Sequence, residues 1–294
     1  MELKSTIRNF MWDHFRPYMI NHLWQGRYGY KIDWNNPLDI NEKMQWLACF
    51  GDVSKWAICS DKYRVRQFLK ERGLEDIAVK LYGVWENADD IDYDALPDKF
   101  VLKCNHDSGT CIIVDKNVPY NKEEINRILN TALKVKFGYI NGEIYYNKIK
   151  PCIIAEEFLT NHNCTFSTSL VDYKIWCFDG KPYCTWACYS RSKEGTYVNV
   201  YDNDWNVHPE YSIFTDHYRD GKGVVPKPKT FNKMMEVAAQ LSKGFPEVRV
   251  DLYEVDNKVY FGELTFMTLS AFIDFYTKDF LLELGKQCKL PTDQ

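Results

Sequence analysis

RVDLYEVDNKVYFGELTF, residues 249–266, decides the reading of this chain. Two runs of alternating apolar and polar residues flank Asp256-Asn257, the pattern of a β-hairpin with a two-residue turn. Arg249 and Asp251 are two apart on the first strand and share a face, as do Glu263 and Thr265 on the second. Paired across the turn, one basic, two acidic and one hydroxyl side chain can converge at one end of a sheet. Two hard carboxylates and a guanidinium are what a magnesium nucleotide needs, because the acids hold the metal and the arginine neutralises phosphate oxygens. The competing reading is a surface hairpin with cross-strand salt bridges, and the stretch alone leaves both open.

Composition narrows the class. With 294 residues and 45% hydrophobic content, the chain can build one large domain or two small ones. A net charge of -4 and the lack of a long single-sign run argue against a general nucleic-acid binder. The opening MELKSTIRNFMWDHF has no uninterrupted apolar run, and no segment approaches the roughly 20 apolar residues of a membrane span. A soluble cytoplasmic protein is therefore expected. Ten cysteines, scattered through strand-like segments without a secretory signal, read as reduced structural thiols. Cys177, Cys184 and Cys188 cluster, but without a CxxC pair or a nearby histidine they make a poor zinc site. The 9 Trp, 20 Tyr and 17 Phe suit sugar-stacking platforms and cores equally.

Along the chain, Ile7, Phe10, Met11, Phe15, Met19 and Leu23 have helical spacing, which predicts an amphipathic helix interrupted near Pro17. Asn41 reads as the N-cap of a second helix. Asp61 reads as the cap of a third, DKYRVRQFLKERG, ended by Gly73, with Lys62 in its first turn. A lysine there opposes the helix dipole unless a phosphate lies nearby; the alternative is a solvated surface lysine. Residues 77–85 and 99–104 read as strands. In FVLKCNHDSG, Lys103 ends the second of them and runs into a loop with Ser108 and Gly109, a combination that can hold phosphate though it is not a P-loop. His106 and Asp107 read as acid–base groups or, more simply, as turn residues. A strand at 110–115 and a helix over 121–136 follow, as parts of a possible lid.

PCIIAEEFL gives a buried strand ending in Glu156 and Glu157, adjacent acids that need solvent or a ligand. DYKIWCFDGKPYCTWACYSR reads as two strands joined at Asp179-Gly180, with Lys174 inside the first, where a buried charge requires an anionic partner. Asp202-Asn203-Asp204 is a DxD, which holds metal in many glycosyltransferases and also arises by chance in turns. A helix capped by Thr230 and closed by Gly244 leads into the hairpin.

Taken in order, DKYRVRQFLKERG, LPDKFVLKCNHDSG, KPCIIAEEFL, DYKIWCFDGKP, FPEVRVDLY and YFGELTF resemble the TupA-like branch of the ATP-grasp superfamily, associated with bacterial cell-surface polysaccharide genes. NEKMQWL at 41–47 resembles this branch too. The resemblance implies an α+β ATP-grasp fold, in which two subdomains sandwich ATP under a mobile lid. It divides the chain into a helical region at 1–60, a first α/β subdomain at 61–102, a lid at 103–157 and a C-terminal core at 158–294. It implies that Lys103 meets the α- and β-phosphates, that the loop at Ser108 and Gly109 covers them, and that Glu156, Glu157 and Phe158 form the hinge that recognises adenine and ribose. Lys62 and Lys174 match further phosphate-facing lysines. Arg249 matches the arginine that steadies the transferring phosphate, and Asp251 and Glu263 match the carboxylates that bridge magnesium. Thr265 stands where the superfamily commonly has Asn, which weakens a second metal, and the loop has a single glycine.

The resemblance further implies a carboxylate–amine ligase using ATP and Mg2+. A substrate carboxylate attacks the γ-phosphate, and an amine displaces phosphate from the acylphosphate to give an amide. Such chemistry rests on positioning and charge neutralisation rather than on a protein nucleophile, consistent with the lack of GxSxG. Arg191 is the candidate anchor for the acid substrate, its alternative being a surface salt bridge. The family context suggests an amino acid and a surface-glycan sugar as substrates, without nucleic acid and without a membrane span. The rival readings are a glycosyltransferase using Asp202 and Asp204, an ATP-dependent phosphotransferase, and a non-catalytic nucleotide sensor.

Overall fold

In the computed structural model, which describes residues 2–162 and 164–291, the N-terminal periodicity becomes two helices, α1 (Glu2–His14) and α2 (Arg16–Tyr28). The break falls at Phe15, close to Pro17 as expected, and Pro17 itself sits in the first turn of α2, where a missing N–H costs nothing. The residues that bury are Trp12, Ile20 and Trp24, while Ile7, Phe10, Phe15 and Leu23 of the expected apolar face are exposed. Helix α3 (Ile40–Phe50) begins about two residues earlier than expected: Asp39, not Asn41, is its N-cap, in a reciprocal capping box with Glu42.

The chain then builds a unit of its own over Ser54–Thr160. Short helices α4 (Trp56–Ser60) and α5 (Val65–Glu71) precede strands β1 (Leu81–Trp85), β2 (Lys99–Cys104) and β3 (Cys111–Asp115). Helices α6 (Lys122–Ala132) and α7 (Gly138–Asn141) and strand β4 (Ile153–Glu157) complete it. The four strands form one antiparallel sheet in the order β1-β4-β2-β3. Phe100, Leu102, Cys104, Ile153 and Ala155 pack with Ile125 and Leu129 of α6, so the alternate residues Lys103 and Glu156 point to the opposite face. Residues 75–77 form a single 3-10 turn, so the first strand is shorter than expected. Strands from the stretches 61–102 and 103–157 thus share this one sheet.

The other unit, Met1–Val53 with Asn161–Gln294, is built on a six-stranded sheet. Its strands are β5 (Asp172–Phe178), β6 (Lys181–Ser192), β7 (Gly195–Tyr201), β8 (Tyr218–Asp220), β9 (Val248–Val255) and β10 (Lys258–Thr265), in the order β10-β9-β5-β6-β7-β8. Helix α8 (Phe231–Ser242) packs on β5, β6 and β9, and α9 (Lys278–Gln287) packs on α3. Thr230 precedes α8 as expected but does not cap it with its side chain; its hydroxyl and N–H both donate to Glu254 of β9. The aromatic content goes into this core: Trp186 stacks on Phe275 at 4.1 Å, and Trp176 Nε1 donates to the Tyr276 hydroxyl at 3.1 Å.

Candidate active site

Both turns predicted from sequence form. Asp179-Gly180 and Asp256-Asn257 have positive φ at each residue, as a two-residue hairpin turn requires. Uninterrupted pairing from Asp256-Asn257, however, would set Glu263 against Val250 and turn its side chain away from Arg249 and Asp251. A bulge at Gly262 prevents this. Val255 pairs with Lys258 and Leu252 with Phe261, but beyond the bulge Asp251 pairs with Glu263 and Arg249 with Thr265. A Cβ on Gly262 would lie 2.9 Å from the Asp251 carbonyl oxygen, so the bulge needs glycine. This residue is missing from the sequence-based site; an isolated glycine inside a strand pattern was the available signal.

Strand β9 lies between β10 and β5, so three strands contribute to one face. Glu263, Asp251 and Lys174 form one cross-strand row, Thr265, Arg249 and Trp176 the next, and Tyr253 and Asp172 sit on the other side of the first. Arg249 donates from Nε to Asp251 Oδ1 at 2.7 Å and from Nη2 to Oδ2 at 2.8 Å. Lys174 donates to the same Oδ2 and lies 2.7 Å from Asp172 Oδ2. Arg249 also donates to Thr268 Oγ1 at 2.9 Å, Thr265 Oγ1 at 3.1 Å and Glu263 Oε1 at 3.3 Å. Asp251, Arg249, Lys174 and Asp172 are buried, whereas Glu263, on the edge strand, keeps 50% of its side chain exposed.

Electrostatics split the two buried acids. Burial pushes the Asp251 carboxyl up, but the Arg249 guanidinium and the Lys174 ammonium outweigh it and hold the group below the usual carboxylate range. Burial and the Asp251 charge raise Asp172 against the pull of Lys174. Burial disfavours the charged forms of Lys174 and Arg249, yet the surrounding acids raise both. Asp172, absent from the sequence-based set, is thus a third carboxylate of this face, and its Oδ1 is buried without a hydrogen-bond partner. Arg191 reaches it from the end of β6, with Nη2 3.5 Å from Asp172 Oδ2 and 61% of the side chain exposed.

No group of three or more His, Cys, Asp or Glu side chains among the described residues is arranged to hold a metal. Magnesium does not require such a cage, since it commonly takes one or two carboxylates together with nucleotide phosphates. The hard oxygens of Glu263, Asp251 and Thr265 fit that pattern, with Glu263 the open member and Asp251 engaged by cations on both oxygens.

A second cationic group lies in the Ser54–Thr160 unit. Lys103 Nζ donates to Glu156 Oε2 at 2.8 Å, and Arg66 Nη2 donates to Glu156 Oε1 at 2.7 Å and to the Val79 carbonyl at 2.6 Å. Arg66 is a further residue that sequence reasoning missed. Lys62 lies not in a helix but in the turn before α5. Asp61 heads that turn, accepting from the Tyr63 and Arg64 N–H groups, so the helix-dipole argument for Lys62 does not hold. Its ammonium donates to the Asp107 carbonyl, and its own N–H donates to the Asn105 carbonyl at 3.1 Å, tying the turn to the loop after β2. Ser108 and Gly109 are exposed at the tip of that loop, Gly109 with φ 131°, a conformation that glycine supplies. His106 is buried, and burial lowers its pKa, in keeping with a turn residue. Glu157 ends β4 and donates its N–H to the Lys80 carbonyl, and Phe158 receives Lys99 over its ring at 4.2 Å. Cys111, exposed on β3, pairs directly with Lys103.

The DxD stretch behaves as a turn. Asp202 accepts from the Asp204 and Asn206 N–H groups, the Asn206 amide and His208. Burial opposes the shift, but the Asn206 and His208 bonds bring its carboxyl down to about 2. Cys177, Cys184 and Cys188 are buried in β5 and β6.

Mixed helices and two sheets, with a cation-clamped acid pair on a bulged hairpin, define an ATP-grasp protein once set beside the family match. The model of the TupA-like ATP-grasp family matches residues 42–289, and the chain belongs to that family. Among solved structures, it is similar to the D-alanine–D-alanine ligase of Bacillus anthracis complexed with ATP, at 17% identity and TM-score 0.41, over 76% of this chain and 59% of that one. The corresponding ligase of Helicobacter pylori gives 13% identity and TM-score 0.46, over 87% and 68%. The ATP-grasp ligase PsnB, complexed with a precursor peptide and AMPPNP, gives 10% and 0.41, over 96% and 73%. The chain thus spans about three-fifths of the length of the first of these. No curated protein matches it. No described helix is long and apolar enough to cross a membrane.

Proposed function

We propose that the chain is an ATP-dependent carboxylate–amine ligase that joins an amino acid to a sugar of a surface polysaccharide or its precursor. The observation that carries this reading is the buried Arg249–Asp251–Lys174 cluster beside half-exposed Glu263. Two cations fixed by buried acids are preorganised to meet charge that develops on a transferring phosphoryl group. Family membership supports the use of ATP.

In this reading Lys103, Lys62 and the loop at Ser108 and Gly109 bind nucleotide phosphates, while Glu156, Glu157 and Phe158 recognise adenine and ribose. Arg249 and Lys174 neutralise the transferring phosphate. Magnesium, held by Asp251 and Glu263 with Thr265 as a weaker ligand, supplies Lewis-acid neutralisation of phosphate oxygens when bound. Arg191, steered by Asp172, anchors the carboxylate of the acid substrate. That carboxylate attacks the γ-phosphorus and ADP leaves. The amine then attacks the acyl carbon, inorganic phosphate leaves, and the ammonium proton is lost to solvent.

The test is ADP and phosphate release by the purified protein with Mg-ATP and panels of sugar acids, amino sugars and amino acids. Amide formation with ADP release that needs both an acid and an amine supports the ligase; a stable phosphorylated product without amine would make it a phosphotransferase. Asp251→Asn and Glu263→Gln are expected to lower turnover by about a hundredfold or more, as for removal of a preorganised charge partner. Asp202→Ala with Asp204→Ala is expected to leave it, and the reverse pattern would favour the glycosyltransferase.

A further inference from the structure

The N-terminal helices carry an apolar surface that the fold leaves unused. Ile7, Phe10, Met11 and His14 follow i, i+3, i+4, i+7 spacing on α1, and Phe15, Tyr18, Met19, His22 and Leu23 extend it over α2. These stripes lie away from the inward residues Trp12, Ile20 and Trp24. Ile7 is 55% exposed, Phe10 53%, Phe15 49%, Tyr18 66% and Leu23 44%. Phe10 meets His14 at 4.5 Å and Phe15 at 6.1 Å between ring centroids, so the stripes join across the break into one patch. Contiguous exposure of this kind, unlike scattered single residues, marks an interaction surface.

Charge identifies what it meets. Residues 1–31 contain five Lys and Arg against two Asp and Glu, in a chain whose net charge is -4. Lys4 and Arg8 are exposed, one helical turn apart, and border the stripe that begins at Ile7. We propose that the α1–α2 pair docks the protein on the surface of an anionic membrane. Ile7, Phe10, Phe15, Tyr18 and Leu23 enter the boundary between headgroups and acyl chains, and Lys4 and Arg8 face lipid phosphates. Each helix has 13 residues, so each is about 20 Å long, short of the roughly 30 Å hydrocarbon core, and lies along the interface. A second copy of the chain would bring two positive patches together, which disfavours self-association through this face. The inference does not depend on the ligase reading.

Sedimentation of the full chain with vesicles tests it, using phosphatidylcholine alone and phosphatidylcholine mixed with phosphatidylglycerol. Binding is expected on the mixed vesicles, with little on the neutral ones. Phe10→Glu with Tyr18→Glu is expected to weaken binding by at least about tenfold. Lys4→Gln with Arg8→Gln is expected to weaken it about fivefold per charge removed. The affected side chains are exposed, and an unchanged unfolding midpoint in each variant confirms that the fold persists. A folded chain that stays in the supernatant with mixed vesicles, or binds both vesicle types equally, overturns the proposal. So does a solution dimer that Phe10→Glu dissociates.

Discussion

At Gly262 the second strand of the hairpin gives up one residue to a bulge, and the side chains beyond it change face. Gly262→Val places branched carbons against the Asp251 carbonyl and the Tyr253 ring, 2.9 and 3.1 Å from the position of Cβ. Overpacking of this kind costs about 1–3 kcal/mol. The expected outcome is that loss in a denaturant titration together with loss of ATP-dependent turnover; a variant with both intact would show that the bulge does not set the site. The alternation of 249–266, the turn at Asp256-Asn257 and the shared face of Arg249 and Asp251 were all legible in sequence. That Glu263 and Thr265 reach the same face was not legible from alternation, because it depends on one extra residue. Asp172 escaped notice for a related reason: its role comes from pairing β5 with β9, and nothing in DYKIW announces that partner.

Helix α3 shows how an element can serve a loop more than two hundred residues away. Asn41 donates from Nδ2 to the Ile273 carbonyl at 3.1 Å and accepts from the Ile273 N–H at 3.0 Å. One turn on, Gln45 Nε2 donates to the Ser270 carbonyl at 2.9 Å. At and beside the Ser270 anchor, Leu269, Ser270 and Ala271 all have positive φ, at 48°, 55° and 60°, directly after Thr268, which receives Arg249. Left-handed backbone costs a non-glycine residue about 1–2 kcal/mol, so the anchors hold a strained turn in place. Gln45→Ala is expected to cost about 0.5–1.5 kcal/mol, the net worth of the lost hydrogen bond, and to lower turnover. Thermal unfolding and the ADP assay read the two effects. NEKMQWL was legible as a helix and as a family mark, whereas what Asn41 and Gln45 grip was not.

A second element carries a pH dependence. His208 Nδ1 lies 2.8 Å from Glu210 and Nε2 3.3 Å from Asp202. Burial lowers its pKa, but these two carboxylates outweigh burial and raise it. Its folded pKa therefore lies above the unfolded one, so its stabilisation is complete below the unfolded value near 6.5 and is lost as pH rises through the folded value. His208→Gln is expected to lower the unfolding midpoint at about pH 5.5 and to change it less at about pH 8.5. A deficit that grows with pH would contradict this assignment.

For the whole molecule, each unit has its own sheet and its own cations. Mg-ATP at about a hundred times its dissociation constant should stabilise the native chain by about 2.7 kcal/mol. The expected observation is a rise in unfolding temperature that Lys103→Ala abolishes; a rise unaffected by that change would place nucleotide recognition elsewhere. Sequence periodicity told correctly that residues 5–24 are helical on either side of a break, yet not which way they face. A 3.6-residue stripe has the same spacing whether it covers a core or meets solvent, and the inward side proved to be Trp12, Ile20 and Trp24.

Cysteine placement has a practical consequence. Burial raises the thiols of Cys59, Cys104, Cys188 and Cys288 to about 12 and those of Cys49 and Cys152 to about 11, which leaves them inert to alkylation near neutral pH. Cys111 is exposed and lies across the strand pair from Lys103. Cys164 is the other partly exposed thiol outside that raised set, so with Cys164→Ser a maleimide dye on Cys111 would sit beside the lysine proposed to meet the phosphates and would report optically on whether nucleotide arrives there.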